Sequence, residues 1–268
     1  MVRAMTIGGP ALRWCLMLVL TAVPASASAA ACGDELPQGR VACACGDTVV
    51  TDARLLATDP VVASVCPIDG LIIRAGELAE SIQLDLGGQM IRGSGSGAGV
   101  RVVYGGSHGA AIVGAPAGAH GTIAGFGTGL RADAGNRVAR VSRLELRDNR
   151  FEGARLRIAG TLLEDVVARH NRGDGLYLRG TGGRLVGVRS EENGQNGIRL
   201  FTRGMAVDAI AVRNARSGII VDGADNDLAA ASARDNGRDG VLVRGSCTHA
   251  ARVDGSDRIR MSPREVPR

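Results

Sequence analysis

The feature that most constrains the fold of this chain is an asparagine that recurs at a nearly constant spacing. The intervals between successive copies are 22, 22, 21 and 22 residues, and a glycine follows each copy four positions later. The five copies are Asn149, Asn171, Asn193, Asn214 and Asn236. Each glycine is followed by a short alternating apolar segment, as in Leu176–Leu178 and Val241–Val243. Alternation with a period of two indicates a strand with one buried face. A fixed period over five repeats indicates a solenoid.

A second apolar strand precedes each asparagine, and its residues recur in three columns. The columns are Val141, Leu163, Leu185, Val207, Leu228; Leu144, Val166, Val188, Ile210, Ala231; and Leu146, Ala168, Ser190, Val212, Ala233. The single 21-residue interval predicts that one turn residue is missing between Val212 and Asn214. The asparagines are predicted to tolerate a left-handed backbone at the turn and to form a structural ladder of stacked amides.

Fainter copies of the glycine-led strand begin at Gly70, Gly99 and Gly129, which brings the total to about eight coils. Leucine-rich repeats have a similar period, but they need a dense leucine signature around the asparagine, and here the strand follows a glycine instead. Helical repeats fit poorly because glycine recurs every few positions. The pattern therefore predicts an all-β, right-handed parallel β-helix over residues 67–245, with five regular coils over residues 137–245.

Three segments of the repeat region carry a family resemblance: HNRGDGLYLRG, ENGQNGIRLFT and DNGRDGVLVRG. They resemble the parallel β-helix (PbH1-type) repeats of the pectate-lyase-like superfamily. The earlier segment from Cys45 to Val102 resembles the N-terminal coils of secreted bacterial β-helix proteins. The resemblance covers about residues 43–245 and implies the fold, whereas many unrelated activities share such a scaffold.

The segments outside the repeats predict export and a stapled N-terminal end. Residues 1–31 combine basic residues, a short apolar run and the small-residue stretch ASASA, which is typical of a cleaved secretory signal. The alternatives are a membrane anchor, for which the run is short, and a lipoprotein signal ending at Cys32. We expect an exported protein that is periplasmic, extracellular or on the cell surface, with no membrane span in the mature chain.

Cysteines cluster in residues 32–66, which we interpret as an N-terminal cap. Cys32, Cys43, Cys45 and Cys66 are predicted to form two disulfides in an oxidising compartment, with a pairing that the spacing leaves open. The cluster lacks the C-x-x-C spacing of a zinc site. Cys247 is left over, either buried or free, and residues 246–268 look like a loose tail or a thin cap.

Alternation also predicts which side chains of the glycine-led strands point outward. The middle coils present one row of arginines beside two aromatic residues: Arg131, Arg155, Arg157, Tyr177, Arg179, Arg199 and Phe201. Guanidinium groups bind carboxylates or sulfates in a bidentate fashion, and the aromatic rings can stack on sugars. The alternative interpretation is a solvated strand face whose charges oppose aggregation.

The expected function is the binding of a polysaccharide, most simply an acidic one, without a recognisable catalytic motif. The chain contains no lysine, which excludes a lysine base. The alternatives are a polyuronate lyase-like enzyme that uses an arginine base, and a structural cell-surface protein. We expect a monomer with no cofactor, no resident metal and no nucleic-acid partner. Calcium at Asp222, Asp225 and Asp227 is the nearest metal hypothesis, but aspartates in a turn favour turn chemistry.

Overall fold

A computed structural model describes residues 31–37, 39–75, 81–116, 118–133, 135–245, 247–249, 252–254 and 257–261. The segment read as a signal, residues 1–31, lies outside the described residues except for its last position. Within the described part, the elements are numbered in chain order. The first described strands are a hairpin of β1 (Glu35–Leu36) and β2 (Gly39–Arg40), and the only helix described is α1 (Pro60–Ala63). No helix in this part is long and apolar enough to cross a membrane.

The described strands beyond the hairpin form two long parallel sheets. Sheet 1 contains β3 (Asp47–Val49), β6 (Leu71–Arg74), β9 (Ala98–Tyr104), β12 (Thr128–Ala132), β14 (Ala154–Ala159), β16 (Leu176–Thr181), β18 (Ile198–Arg203), β20 (Ile219–Val221), β23 (Val241–Val243) and β26 (Ile259–Met261), in that spatial order. Eight of these strands contain or follow the predicted glycines. The strands β3 and β26 extend the stack by one at each end.

Sheet 2 is built from the strands that precede the asparagines and from their counterparts in earlier coils. It contains β4 (Ala53–Arg54), β5 (Val65–Cys66), β7 (Ser81–Asp85), β8 (Met90–Gly93), β10 (Gly109–Val113), β11 (Gly121–Ala124), β13 (Val138–Arg147), β15 (Leu162–Arg169), β17 (Arg184–Glu191), β19 (Ala206–Val212), β21 (Asn226–Asp227), β22 (Ser232–Arg234), β24 (Cys247–His249) and β25 (Arg252–Asp254). The strands β13, β15 and β17 bend at positive φ, at Arg143, Asp165 and Gly187. The two halves of β13 therefore pair with different strands, β10 and β11. Each full coil has three faces, and the predicted all-β parallel solenoid is confirmed.

A core of Leu, Ile, Val and Ala side chains runs along the inside of both sheets. The alternating burial of β14 shows the arrangement, with Ala154, Leu156 and Ile158 buried and the residues between them exposed. Burial of such side chains contributes about 25 cal/mol for each Å² of apolar surface that leaves water. The residues between the buried ones in β14, including Arg155 and Arg157, therefore face solvent.

The five asparagines stand in one column and form a buried hydrogen-bonded ladder. The Asn171 side-chain amide donates to Asn193 Oδ1 at 2.9 Å and to the Leu146 carbonyl at 3.0 Å. The same geometry recurs from Asn149 to Asn236, and the Asn236 amide donates onward to Asp257 at 2.8 Å. The ladder thus ends on a residue of the C-terminal segment, in which the sequence showed no repeat.

The left-handed residue of this turn is the one before each asparagine, which corrects the sequence interpretation. Positive φ angles near 50–57° occur at five residues in one column. They are Asp148, His170, Glu192, Arg213 and Asp235. Glu192 contacts both neighbours in this column, and the hydrogen bonds from Arg213 and His170 lower the pKa of its carboxyl. The asparagines keep an ordinary backbone and contribute through their amides.

The missing residue of the 21-residue interval lies at the bend of β19, so the prediction that it falls between Val212 and Asn214 is wrong. Val188 pairs with Ala209 and Ser190 pairs with Ala211. Ile210, placed in a core column by the sequence, is 40% exposed, whereas Ala209 and Ala211 are buried. The shortening occurs between Val207 and Ala209, where β19 lacks the extra residue that β17 accommodates at its positive-φ glycine.

The N-terminal cap contains the two predicted disulfides, which join Cys32 to Cys43 and Cys45 to Cys66. A buried ion pair supports them, because Arg40 donates to Asp59 at 2.8 Å. Burial alone would raise the pKa of the Asp59 carboxyl. Hydrogen bonds from Arg40 and from the Leu56 and Cys43 N–H groups outweigh burial and hold that pKa below its usual range.

Candidate ligand-binding face

The register of sheet 1 brings all seven residues of the predicted row onto one outward surface, which we call the arginine face. One line of paired residues runs Arg131, Arg155, Tyr177, Arg199, and a second line runs Arg157, Arg179, Phe201. Neighbouring members of a line lie on adjacent strands, about 4.8 Å apart. The alternation that buries Leu156 and Leu178 is what turns these side chains outward.

The arginines of this face differ in their electrostatic partners. Arg131 forms an ion pair with Asp133 at 3.0 Å, and Arg155 lies 3.6 Å from Glu152. Arg157 and Arg179 are exposed, and no acidic side chain in the described part of the chain pairs with either. These two paired positions therefore hold adjacent positive charges without an ion pair among the described residues; the nearby carboxylate of Asp133 lines a smaller groove with both but pairs with Arg131.

Tyr177 is enclosed by guanidinium groups. The Arg155 guanidinium lies 5.2 Å from the centre of the Tyr177 ring, and the Arg199 guanidinium lies 5.9 Å from it. Arg199 also lies 4.8 Å from the Phe201 ring, and its Nε atom is buried without a hydrogen bond. Cation–π contacts of this kind hold arginine side chains in place. Tyr177 thus positions two arginines and borders two smaller grooves, whereas Phe201 lines the groove beside Arg157 and Arg179.

A groove with a volume of about 570 Å³ lies beside Arg157 and Arg179. Its lining also includes Asn136, Arg137, Thr181 and Phe201. This volume falls within the range of roughly 300–1,000 Å³ that is usual for small-molecule sites. The arginine pair and the free edge of Phe201 therefore share one cavity.

Sequence reasoning missed Arg137 and its neighbour Asn136. They belong to the irregular segment between β12 and β13, outside every repeat column, so no periodic signal marked them. Arg150 and Arg172, which line a smaller groove of about 300 Å³ next to Arg155, were missed because they follow the ladder asparagines in the turns. Their recurrence at a spacing of 22 residues was the signal that could have identified them.

Beyond Phe201 a second groove of about 360 Å³ continues toward the C-terminal coils. It is lined by Phe201, Arg203, Asp222 and Arg244, together with the glycine-rich ends of the strands. Asp222 is nearly buried, and its Oδ1 atom lies 3.6 Å from the Arg244 guanidinium. The arginine face thus passes from a cationic groove to one with a carboxylate in its wall.

The three aspartates considered for calcium do not converge. Asp222 lies against Arg244, Asp225 lies 3.9 Å from Arg203, and Asp227 accepts a hydrogen bond from the Ala229 N–H in a turn. Within the described ranges, no group of three or more His, Cys, Asp or Glu side chains could hold a metal ion.

Comparison with known proteins identifies no family for this chain. No protein-family model matches the sequence, and no curated protein matches it significantly. The arrangement of the arginine face is therefore the basis for assigning a function.

Proposed function

We propose that this chain is an exported, non-catalytic protein that binds an acidic polysaccharide on its arginine face. The observation that carries the proposal is the pair formed by Arg157 and Arg179. Both side chains are exposed, lie on adjacent strands and line the 570 Å³ groove without an acidic partner among the described residues. A planar guanidinium binds a carboxylate or sulfate through two parallel hydrogen bonds, so two adjacent copies suit an anionic ligand.

The remaining features of the groove suit a sugar. The edge of Phe201 supplies an apolar surface, and Thr181 and Asn136 supply hydroxyl and amide groups that can bond to sugar hydroxyls. The parallel coils repeat the binding elements along the axis, which suits an extended polymer better than a compact ligand. The face therefore combines charge, an apolar platform and polar groups in one linear arrangement.

Export is supported by two independent features. The disulfides Cys32–Cys43 and Cys45–Cys66 persist in oxidising compartments and are rare in the cytosol. The sequence of residues 1–31 has the pattern of a secretory signal. A polysaccharide ligand outside the cytoplasm is consistent with both features.

An enzyme of the pectate-lyase-like superfamily is the second candidate. Its specific support is the same pair, because an arginine without an acidic partner in a substrate groove could act as the base in β-elimination from a uronate. Incubation with polygalacturonate or alginate, with and without calcium, followed by ultraviolet absorbance of unsaturated products, distinguishes the two. Product formation would favour the enzyme, and binding without product supports the proposal.

The test of binding is a charge-matched pair of double variants. Arg157→Gln/Arg179→Gln removes the groove pair, and Arg184→Gln/Arg234→Gln removes two exposed arginines from sheet 2. Loss of two charge-assisted contacts is expected to weaken binding to an acidic polysaccharide by about tenfold to a hundredfold. The sheet 2 variant should bind like the parent.

Calorimetric titration of both variants with polygalacturonate, alginate and a neutral glucan makes the comparison. Binding to the acidic polymers should also weaken as salt rises, because exposed charges are screened over about 8 Å at physiological ionic strength. If a folded Arg157→Gln/Arg179→Gln variant binds as the parent does, the row is a solvated face. The structural cell-surface role would then replace the proposal.

A further inference from the structure

Asp222 is a buried carboxylate with an unsatisfied atom at the wall of a groove. Its side chain is 5% exposed, and its Oδ2 atom is buried without a hydrogen-bond partner. A buried acceptor left without a partner is destabilising, and more so when the group is charged. The Arg244 guanidinium near Oδ1 is half exposed, and both side chains line the groove.

The groove of Asp222 continues the arginine groove without a break. Phe201 and Gly180 line both, so the Phe201 ring separates the groove of Arg157 and Arg179 from one whose wall holds Asp222 together with Arg203 and Arg244. Both of these arginines already face an aspartate, since Arg244 lies 3.6 Å from Asp222 and Arg203 lies 3.9 Å from Asp225. Phe201 and Arg179 pair on adjacent strands, and Asp222 comes directly after β20, the strand next to that of Phe201. A ligand that runs along the axis therefore meets arginines first, then the ring, then the carboxylate.

The outward row beside Asp222 changes character in the same coils. Arg199 pairs with Ile220, and Ile220 pairs with Leu242, so two apolar residues replace the arginines of the preceding coils. Both are buried to more than nine-tenths. A second carboxylate or sulfate placed here would face Asp222 instead of an unpaired cation, and like charges at contact distance repel. A hydroxyl or amide N–H can instead donate to the Asp222 carboxylate.

We infer that the ligand is an acidic polysaccharide in which charged sugars alternate with neutral ones. The charged sugar occupies the groove of Arg157 and Arg179, and the next, neutral sugar crosses Phe201 and donates a hydroxyl or amide hydrogen bond to Asp222. This inference rests on the proposed function and narrows its substrate class. It excludes a homopolymer of uronate as the preferred ligand, because such a polymer would place a carboxylate against Asp222.

Substitution of Asp222 by Asn changes the affinity for the two polymer classes in opposite directions. The variant removes the charge but keeps the shape. Binding to an alternating polymer should weaken about fivefold to tenfold, because a charged acceptor forms a stronger hydrogen bond than an amide. Binding to a homopolyuronate should strengthen about threefold or more, because the repulsion is lost. A variant that merely folded poorly would lose affinity for both.

The experiment titrates the parent, Asp222→Asn and the control Asp208→Asn with three probes. The control removes one acid from β19 of sheet 2. The probes are hyaluronan, in which uronate alternates with a neutral amino sugar, polygalacturonate and a neutral glucan. The parent should prefer hyaluronan, Asp222→Asn should reverse or abolish that preference, and Asp208→Asn should behave as the parent.

The outcomes separate this inference from the proposal beneath it. Equal binding of both acidic polymers by the parent and by Asp222→Asn, with loss of binding in Arg157→Gln/Arg179→Gln, overturns the alternating ligand and leaves the acidic polysaccharide in place. Binding of neither acidic polymer, or binding unaffected by the double arginine variant, overturns both.

Discussion

The coils from residue 137 onward and the coils before it are held together in different ways. In the later coils the same buried amide contact recurs in every turn, from Asn149 to Asn236. In the coil that precedes Asn149, Phe126 lies at the position that the asparagines occupy in later coils. Its backbone N–H donates to Asn149 Oδ1 at 3.0 Å. Its buried ring lies where Gly93 and Gly99 carry no side chain, since a Cβ at Gly93 would lie 2.4 Å from the ring.

The difference shows two ways of stabilising one stack. Repetition allows each regular coil to be about 22 residues long, because the ladder satisfies the turn backbone in the same way every time. The earlier coils have longer turns and depend on contacts that occur once, such as the two disulfides and the Arg40–Asp59 pair. The arginine face lies on β12, β14, β16 and β18, where the regular register begins and keeps side chains of successive coils aligned.

The largest effect is expected from the centre of the ladder. Asn193→Ala removes the acceptor of the Asn171 N–H, one of the two acceptors of the Asn171 amide, and the side-chain donor to the Ala168 carbonyl and to Asn214 Oδ1. Several buried groups lose hydrogen bonds at once, so we expect a loss of about 3–5 kcal/mol in the free energy of unfolding. Urea unfolding measures the loss, and hydrogen exchange should show it first in residues 137–245.

The control for the ladder variant is Asn136→Ala, which removes an asparagine from a partly exposed turn outside the ladder. It should change the stability by less than about 0.5 kcal/mol. Similar losses in the two variants would mean that the ladder amides contribute no more than ordinary polar residues, and the contrast between the two regions would fail.

A smaller effect is expected from the cap. Replacing Cys45 and Cys66 by Ala removes a disulfide that closes a loop of 21 residues. The lost restriction of the unfolded chain should lower the free energy of unfolding by about 3 kcal/mol. Because coils contact only their neighbours, exchange should rise in the first coils and remain slow around the ladder. A uniform rise along the whole chain would show that the cap and the ladder are one cooperative unit and would remove the distinction.

The smallest effect is a pH dependence at Asp59. At neutral pH, Asp59→Asn should lower the free energy of unfolding by about 1–3 kcal/mol, because the partly buried Arg40 loses its charged partner. The folded-state pKa of Asp59 lies below its unfolded value of about 3.9, so its contribution is complete above that pH and is lost as the pH falls through the folded pKa. The stability gap between parent and variant should therefore narrow below about pH 4.

Unfolding curves at neutral and acid pH test this dependence, with the exposed Asp235→Asn as control. The control should differ little from the parent at either pH. If the difference in unfolding free energy between the parent and Asp59→Asn stays constant or widens in acid, the ion pair does not govern the stability of the cap.

The sequence predicted the stack and the arginine row because both follow directly from period and alternation. The sequence-based prediction was wrong at β19, which is one residue shorter than β17. Two alignments of β19 with β17 would both place apolar side chains in the core. The larger residues Ile210 and Val212 favoured one alignment, whereas backbone pairing with β17 selected Ala209 and Ala211. Pairing is a contact between distant residues, which local hydrophobicity does not reveal.

The site was predicted in part for the same reason. Residues in columns, such as Arg157 and Arg179, could be placed from the repeat alone. Arg137 could not, because its position depends on the path of an irregular turn. The enclosure of Tyr177 by Arg155 and Arg199 also depends on side-chain conformations that spacing does not specify. The spacing of the repeat therefore determined which residues lie on the arginine face. Three-dimensional packing determined which of their side chains are free to bind a ligand.

The most direct test of the arginine face is a nuclear magnetic resonance titration of the arginine Nε–Hε groups with a short acidic oligosaccharide. The account predicts saturable shifts that are largest at Arg157 and Arg179, with Arg137 next, and unchanged signals from Arg140 and Arg184 on sheet 2. Shifts spread evenly over all arginines, or largest on sheet 2, would contradict a binding site on this face.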